Sequence, residues 1–185
     1  MDKKLLILDV DETLIHGSEA ILSRQPDHTC SWCHLYLRPH VLEFIRFCFE
    51  HFRVAIWSTA SMDHIEMSLH QIGCHTYPFE FIWDIEKCTL VVDPPDDFGI
   101  GDRTHWRKNL SKLKRKGFLL EEVLMVDDST EKLDKHFGNL VRIRPFFGSH
   151  SDRELLRLMP YLLELKSAEN VRVLEKRGWE SRFPI

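Results

Sequence analysis

The sequence predicts an α/β fold of three layers, with a central, mainly parallel sheet between covering helices. Three observations lead to it. Leu5-Leu6-Ile7-Leu8 is an apolar run suited to a strand buried on both faces. Strand-like and helix-like segments alternate after it. Several of the strand-like segments end in acids or hydroxyls, as happens where a parallel sheet presents its carboxyl edge.

The first strand breaks at Asp9-Val10-Asp11-Glu12-Thr13. Carboxylates this close repel by about 4 kcal/mol at an effective dielectric of 20, and a cation would remove that penalty. A plain polar turn, with Asp11 or Thr13 capping something local, is the competing reading. Residues 15–37 read as a small β excursion ending in Leu35-Tyr36-Leu37. Arg38-Pro39-His40 opens a helix with proline near its first turn, and Val41, Phe44, Ile45 and Cys48 follow at helical spacing as core. Val54-Ala55-Ile56-Trp57 is a second buried strand, leading through Ser58-Thr59-Ala60-Ser61 into a helix that reaches about Gly73. Phe81-Ile82-Trp83 reads as a third strand. From Glu86 to Arg103, Pro94, Pro95, Gly99 and Gly101 mark an inserted hairpin or loop.

A helix is expected from about His105 to Lys116, then a fourth strand, Val123-Leu124-Met125-Val126, ending in Asp127-Asp128. Ser129 or Thr130 stands where it would cap a following helix. Val141-Arg142-Ile143 is a last strand. Leu155, Leu158, Met159, Leu162 and Leu165 form a helical stripe, which Pro160 is expected to kink or split. The whole is expected to be one Rossmann-like three-layer domain spanning 1–185, with small β insertions and no large cap domain.

Composition narrows the function classes. The chain is 43% hydrophobic, enough for a sizeable core, so disorder is not expected. No apolar run approaches the roughly 20 residues that span a bilayer. The N-terminal run is too short for a signal-peptide core, so a cytoplasmic protein is expected, with nuclear residence open in a eukaryote. A net charge of -4 does not suggest general affinity for nucleic acid. Lys112 to Lys116 reads as a solvated face, whereas Arg103 to Lys108 could serve a phosphorylated ligand. Cys30-Ser31-Trp32-Cys33-His34 matches a haem-attachment pattern, and a zinc site with His28 is conceivable. Packed, reduced thiols on a strand are the reading preferred here.

Asp9 and Asp11, Ser58, and Asp127 and Asp128 all fall at strand ends, and phosphoryl transfer explains why such residues belong together. One carboxylate can attack phosphorus and a second can move the proton. Mg²⁺ takes oxygen ligands and bridges carboxylates to phosphate. A hydroxyl and a lysine suit the remaining charge.

Asp9-Val10-Asp11-Glu12-Thr13 resembles the DxDxT signature of haloacid dehalogenase (HAD) superfamily phosphatases. More narrowly, the chain is similar to the FCP/SCP family of polymerase C-terminal-domain phosphatases, nearest to the branch whose members carry a ubiquitin-like domain. Arg38-Pro39-His40, Ile56-Trp57-Ser58, Lys108-Asn109-Leu110, Val126-Asp127-Asp128-Ser129 and Ile143-Arg144-Pro145-Phe146 carry the resemblance. It implies Asp9 as nucleophile and metal ligand, and Asp11 as general acid/base, with its backbone carbonyl a second ligand. Ser58, Thr59, Thr13 and Lys108 are the implied phosphate-binding set, with Thr13 also supporting its loop. Asp128, with Asp127 beside it, completes an implied Mg²⁺ site.

The expected partner is a phosphorylated substrate, a phosphoprotein, because no long cap fits between Asp11, Ser58 and Lys108 to enclose a small molecule. Nucleic-acid ends and small phosphates are the alternatives within this chemistry, and a catalytically idle binding module is the alternative outside it. Two departures from the family pattern bear on the substrate. Asp128 stands where SCP members carry asparagine. The stretch around Ile85-Glu86-Lys87-Cys88 lacks a phosphate-binding arginine, a role for which Arg103 or Arg107 is the candidate. No ubiquitin-like segment lies within these residues, so docking by that route is not expected.

Overall fold

A computed structural model of the chain describes residues 3–30, 33–93 and 103–184. Its strands are β1 (Leu5–Leu8), β2 (Ile15–Ser18), β3 (His28–Thr29), β4 (His34–Leu37), β5 (Arg53–Trp57), β6 (Ile82–Trp83), β7 (Thr89–Asp93), β8 (Arg103–Arg107), β9 (Val123–Asp127) and β10 (Leu140–Arg142). The α-helices are α1 (Val41–His51), α2 (Met62–Ile72) and α3 (Glu154–Lys166). Five strands form a wholly parallel sheet in the order β10-β9-β1-β5-β6. The chain leaves β1 for one side of the sheet and later returns to the other, which puts the crevice where such sheets bind ligands at the end of β1. No helix among the described residues is long and apolar enough to cross a membrane.

Strand alternation divides the core into two. Leu6, Leu8, Val54, Ile56, Leu124 and Val126 face the three α-helices, where Phe44, Ile45, Ile65, Leu69, Leu158 and Leu162 meet them. Leu5, Ile7, Ala55, Trp57, Val123 and Met125 face the other way, onto Leu110, Leu113, Leu120 and Leu133. The second covering layer is therefore made of short 3₁₀ segments. The helix expected over residues 105–116 is corrected accordingly: 103–107 is strand β8, and Leu110–Lys116 is a 3₁₀ helix. Leu110 and Leu113 are its buried residues, spaced three apart, which matches the three-residue turn of that helix. Gly117, in the left-handed region, ends it.

The small β excursion is a three-stranded antiparallel sheet, β2-β4-β3. Strands β7 and β8 pair antiparallel, Thr89 opposite Arg107 through Asp93 opposite Arg103; residues 94–102, including Pro94, Pro95, Gly99 and Gly101, lie outside the described residues. Pro160 neither splits nor ends its helix, since α3 runs continuously over Glu154–Lys166. It sits on the exposed side, and Leu156, whose carbonyl loses its amide partner, is only half-buried, so water can replace the missing bond. Nor does Thr130 cap an α-helix: only the single 3₁₀ turn Glu131–Leu133 follows, without a side-chain cap.

Leu6 is fully buried in the sheet's middle strand. Leu6→Ala is expected to lower the unfolding free energy by about 2–5 kcal/mol in urea denaturation. A loss below ~0.5 kcal/mol would mean that Leu6 does not pack as described.

Candidate active site

Parallel register brings the polar strand ends together. Leu8 lies opposite Ile56 on one side and Val126 on the other. The next residues along are therefore Asp9, Trp57 and Asp127, with Ser58 and Asp128 one step beyond. The Asp9 amide extends the ladder by donating to the Val126 carbonyl at 3.0 Å. The chain then turns sharply: the amides of Thr13, Leu14 and Ile15 all reach the Val10 carbonyl, and Glu12 adopts a left-handed conformation at φ 55°. Arg38 holds this turn from below. Its buried guanidinium donates to the Thr13 and Arg144 carbonyls and pairs through two nitrogens with Asp152.

Asp9 and Asp127 are both fully buried, and so is Lys108. The Lys108 Nζ lies 2.8 Å from Asp9 Oδ1 and 2.7 Å from Asp127 Oδ2. Lys108 follows directly on β8, and that strand end is fastened to the turn after β9. The Lys108 amide donates to the Lys132 carbonyl at 2.7 Å, and Arg107 pairs with Asp134. Arg107 is thus already engaged, while the Arg103 side chain lies outside the described residues, so neither candidate for the substrate-phosphate arginine gains a position here.

Burial alone would raise the Asp9 pKa, but the charges of Lys108 and then Lys132 outweigh it and hold the carboxyl below its ordinary value. Asp127 is raised, by burial first and by the neighbouring Asp9 charge second. The two carboxyls thus differ in proton affinity although they share the same lysines.

Asp11 occupies a different environment. Its side chain is 29% exposed, against 1% for Asp9. Oδ1 lies 2.8 Å from His64 Nε2, and the Ser58 hydroxyl donates to Oδ2 at 3.4 Å. The hydrogen bond to Asp11 raises the His64 pKa against the effect of burial. Asp11 is therefore the carboxyl open to water and to an incoming group, while Asp9 is the desolvated one.

Asp9, Asp127 and Asp128 each offer an oxygen within 4.8 Å of the others, the one grouping among the described residues whose ligand atoms could share a metal ion. An all-oxygen carboxylate set suits a hard cation such as Mg²⁺. The Asp11 carboxylate is not among the three; the ligand that the resemblance implies at this residue is its backbone carbonyl. The carboxylate oxygens are turned to His64 and Ser58, which leaves that carbonyl as the group that could contribute. Thr13 is buried in the turn and its hydroxyl has no hydrogen-bond partner among the described residues, and Thr59 is half-buried in the loop after Ser58. The Sγ atoms of Cys30 and Cys33 lie 2.9 Å apart.

Two residues of this site were missed by sequence reasoning. Lys132 Nζ stands 2.6 Å from Asp9 Oδ2, 3.2 Å from Asp127 Oδ1 and 3.4 Å from Asp128 Oδ1. Its spacing four residues after Asp128, which returns a side chain to the same side of a helical turn, was the available signal. His64 lies in the first turn of α2, at the helix end nearest Ser58, but a lone histidine on an amphipathic helix carries no such signal.

Lys108→Met is expected to cost about 3–5 kcal/mol of stability in metal-free buffer, because Asp9 and Asp127 would lose their buried partner. Chemical denaturation measures this, and an unchanged midpoint would mean that Lys108 is not needed to compensate them.

A family model described as NLI interacting factor-like phosphatase matches residues 4–172. The ubiquitin-like domain-containing CTD phosphatase 1 of Xenopus tropicalis is 29% identical over 195 residues, which covers 96% of this chain and 54% of that protein. The Homo sapiens protein of the same name is 29% identical over 196 residues with the same coverage. The chain thus spans about half the length of these relatives. Among solved structures, Fcp1, an RNA polymerase II CTD phosphatase, superposes with a TM-score of 0.56 at 15% identity, covering 91% of this chain and 51% of that one. A HAD-superfamily hydrolase from Ehrlichia chaffeensis superposes with a TM-score of 0.55 at 14% identity, covering 89% and 98%. At these identities the superpositions establish a shared fold.

Proposed function

Because the chain belongs to the NLI interacting factor-like phosphatase family, we propose that it is a Mg²⁺-dependent phosphomonoester hydrolase. It works through an aspartyl phosphate on Asp9, and its substrate is phosphoserine or phosphothreonine in a protein. The observation that carries this reading is the pairing of a buried, lysine-neutralised Asp9 with a water-accessible Asp11 at one sheet edge.

The division of labour follows from the environments. Asp9 is held ionised by its buried partner Lys108, so it is an available nucleophile. Its carboxylate oxygen forms a bond to phosphorus as the ester P–O bond breaks, and Asp11 gives a proton to the leaving oxygen. Water then attacks phosphorus and passes a proton to Asp11, the P–O bond to Asp9 breaks, and phosphate leaves. His64 and Ser58 orient the Asp11 carboxylate between these two transfers. Asp9, Asp127, Asp128 and the Asp11 carbonyl would hold the Mg²⁺. When bound it neutralises charge on the phosphoryl oxygens. Lys108, reaching both Asp9 and Asp127, keeps the nucleophile in place and stabilises the charge that returns to Asp9 when its bond to phosphorus breaks.

A protein substrate is supported by openness. Outside the main sheet and the helices that cover it, the described residues between the strand ends form the small sheet of β2, β3 and β4 and the β7–β8 pair, and neither is a large cap. Relatives named as CTD phosphatases point the same way.

Purified protein with Mg²⁺ is expected to release phosphate from phosphopeptides in preference to nucleotides, phosphorylated nucleic-acid ends or sugar phosphates. Asp9→Asn should reduce the rate by ~10³-fold or more, and Asp11→Asn by about 10²–10⁴-fold. Phosphate release that survives in Asp9→Asn would overturn the nucleophile assignment. Release confined to the small substrates would overturn the protein substrate.

A further inference from the structure

Lys132 is not a second copy of Lys108, because the two lysines divide the carboxylate oxygens between them. Lys108 takes Asp9 Oδ1 and Asp127 Oδ2. Lys132 takes Asp9 Oδ2, Asp127 Oδ1 and Asp128 Oδ1, one oxygen from each member of the trio that fits a metal. We propose that Lys132 is a tethered competitor for the divalent-cation seat: its ammonium neutralises the three carboxylates when no ion is bound and must withdraw for one to enter. This rests on the reading of that trio as the metal site.

Chemistry requires the exchange. A magnesium ion draws its oxygens to about 2.0–2.1 Å in octahedral geometry, whereas an ammonium holds the same oxygens at hydrogen-bond distance. Both cannot occupy one triangle of oxygens, and their like charges repel at close range. The structure also shows which lysine can yield. Lys108 is fully buried, while the Lys132 side chain is 18% exposed and so borders solvent. The Lys132 backbone need not move, since its carbonyl is held by the Lys108 amide and the neighbouring Leu133 is buried in the core. The side chain can swing out on a fixed base. It follows that the metal-free protein is stabilised by a cation of its own, and that ion affinity is lower than three carboxylates alone would give.

The test compares Mg²⁺ affinity by calorimetry and Mn²⁺ affinity by electron paramagnetic resonance in wild type, Lys132→Met and Lys132→Gln. Lys135→Met makes the same charge change at an exposed neighbouring position. Both Lys132 variants are expected to bind the ions roughly tenfold more tightly or better, and Lys135→Met within about twofold of wild type. The melting temperature gives a second readout: in EDTA the Lys132 variants should melt below wild type, and saturating Mg²⁺ should raise them by more than it raises wild type. If Lys132→Met does not fold without metal, Lys132→Gln carries the same measurements. Equal or weaker ion binding in the variants overturns the inference and leaves the metal site standing. Absence of ion binding in wild type and variants alike overturns the metal site, and the inference with it.

Discussion

Two carboxylates buried side by side at the end of a parallel sheet must be matched by buried positive charge, and the site is arranged around that requirement. Asp9 and Asp127 are carried there by the β1–β9 register, which leaves no choice about their proximity. Their compensation has to arrive from elsewhere, and Lys108 supplies it from the end of β8. That demand explains why β8 is fastened to the turn after β9 by the Arg107–Asp134 pair and the Lys108–Lys132 backbone bond. A strand pair outside the main sheet would otherwise have little reason to be held so closely to it. An unpaired buried charge is among the costliest faults a fold can carry, so the position of the β7–β8 pair is set by electrostatics as much as by packing.

The same logic operates once more, one layer out. Arg38 is buried beneath the turn that follows Asp11, with its charge met by Asp152 and its remaining donors by the Thr13 and Arg144 carbonyls. One guanidinium thereby joins the start of α1, the turn after β1 and the approach to α3. The turn itself holds Glu12 in a left-handed conformation, and the Phe146 amide donates to the Glu12 carbonyl. Asp11 is displayed from this braced segment, which allows its carboxylate to remain partly hydrated and still be oriented by His64 and Ser58. Two aspartates two residues apart thus acquire opposite solvation, and in the proposed mechanism this separates attack from proton transfer.

Much of the fold was legible because its signals are local. The four aliphatic residues of β1, the run Val54 to Trp57 and the run Val123 to Val126 read as strands buried on both faces. Helical spacing identified Val41, Phe44, Ile45 and Cys48, and all four are buried in α1. Expectation failed where local propensity and tertiary demand differ. Residues 103–107 carry no strong strand pattern and form one by pairing with β7, and Leu110–Lys116 winds as a 3₁₀ helix with only two leucines to bury. Proline did not break α3, because its position on the exposed side lets water serve the freed carbonyl.

The site divides in the same way. By itself the sequence determined which strands end in acids, which hydroxyl ends β5, and the family pattern into which Asp9, Asp11, Ser58, Lys108, Asp127 and Asp128 fall, since these are properties of short contiguous stretches. Tertiary structure alone decided how those charges are shared. Among 25 lysines and arginines, the spacing from Asp128 hints at Lys132 but cannot say that it also reaches Asp9 and Asp127, and nothing local marks Arg38 as buried. Nor could the sequence say that the Asp11 side chain turns to His64 while Asp9 turns to the lysines. A side chain's partner is set by which segments the packed sheet brings within a few ångströms, and its charge state by how far that packing excludes water. Both are properties of the folded whole.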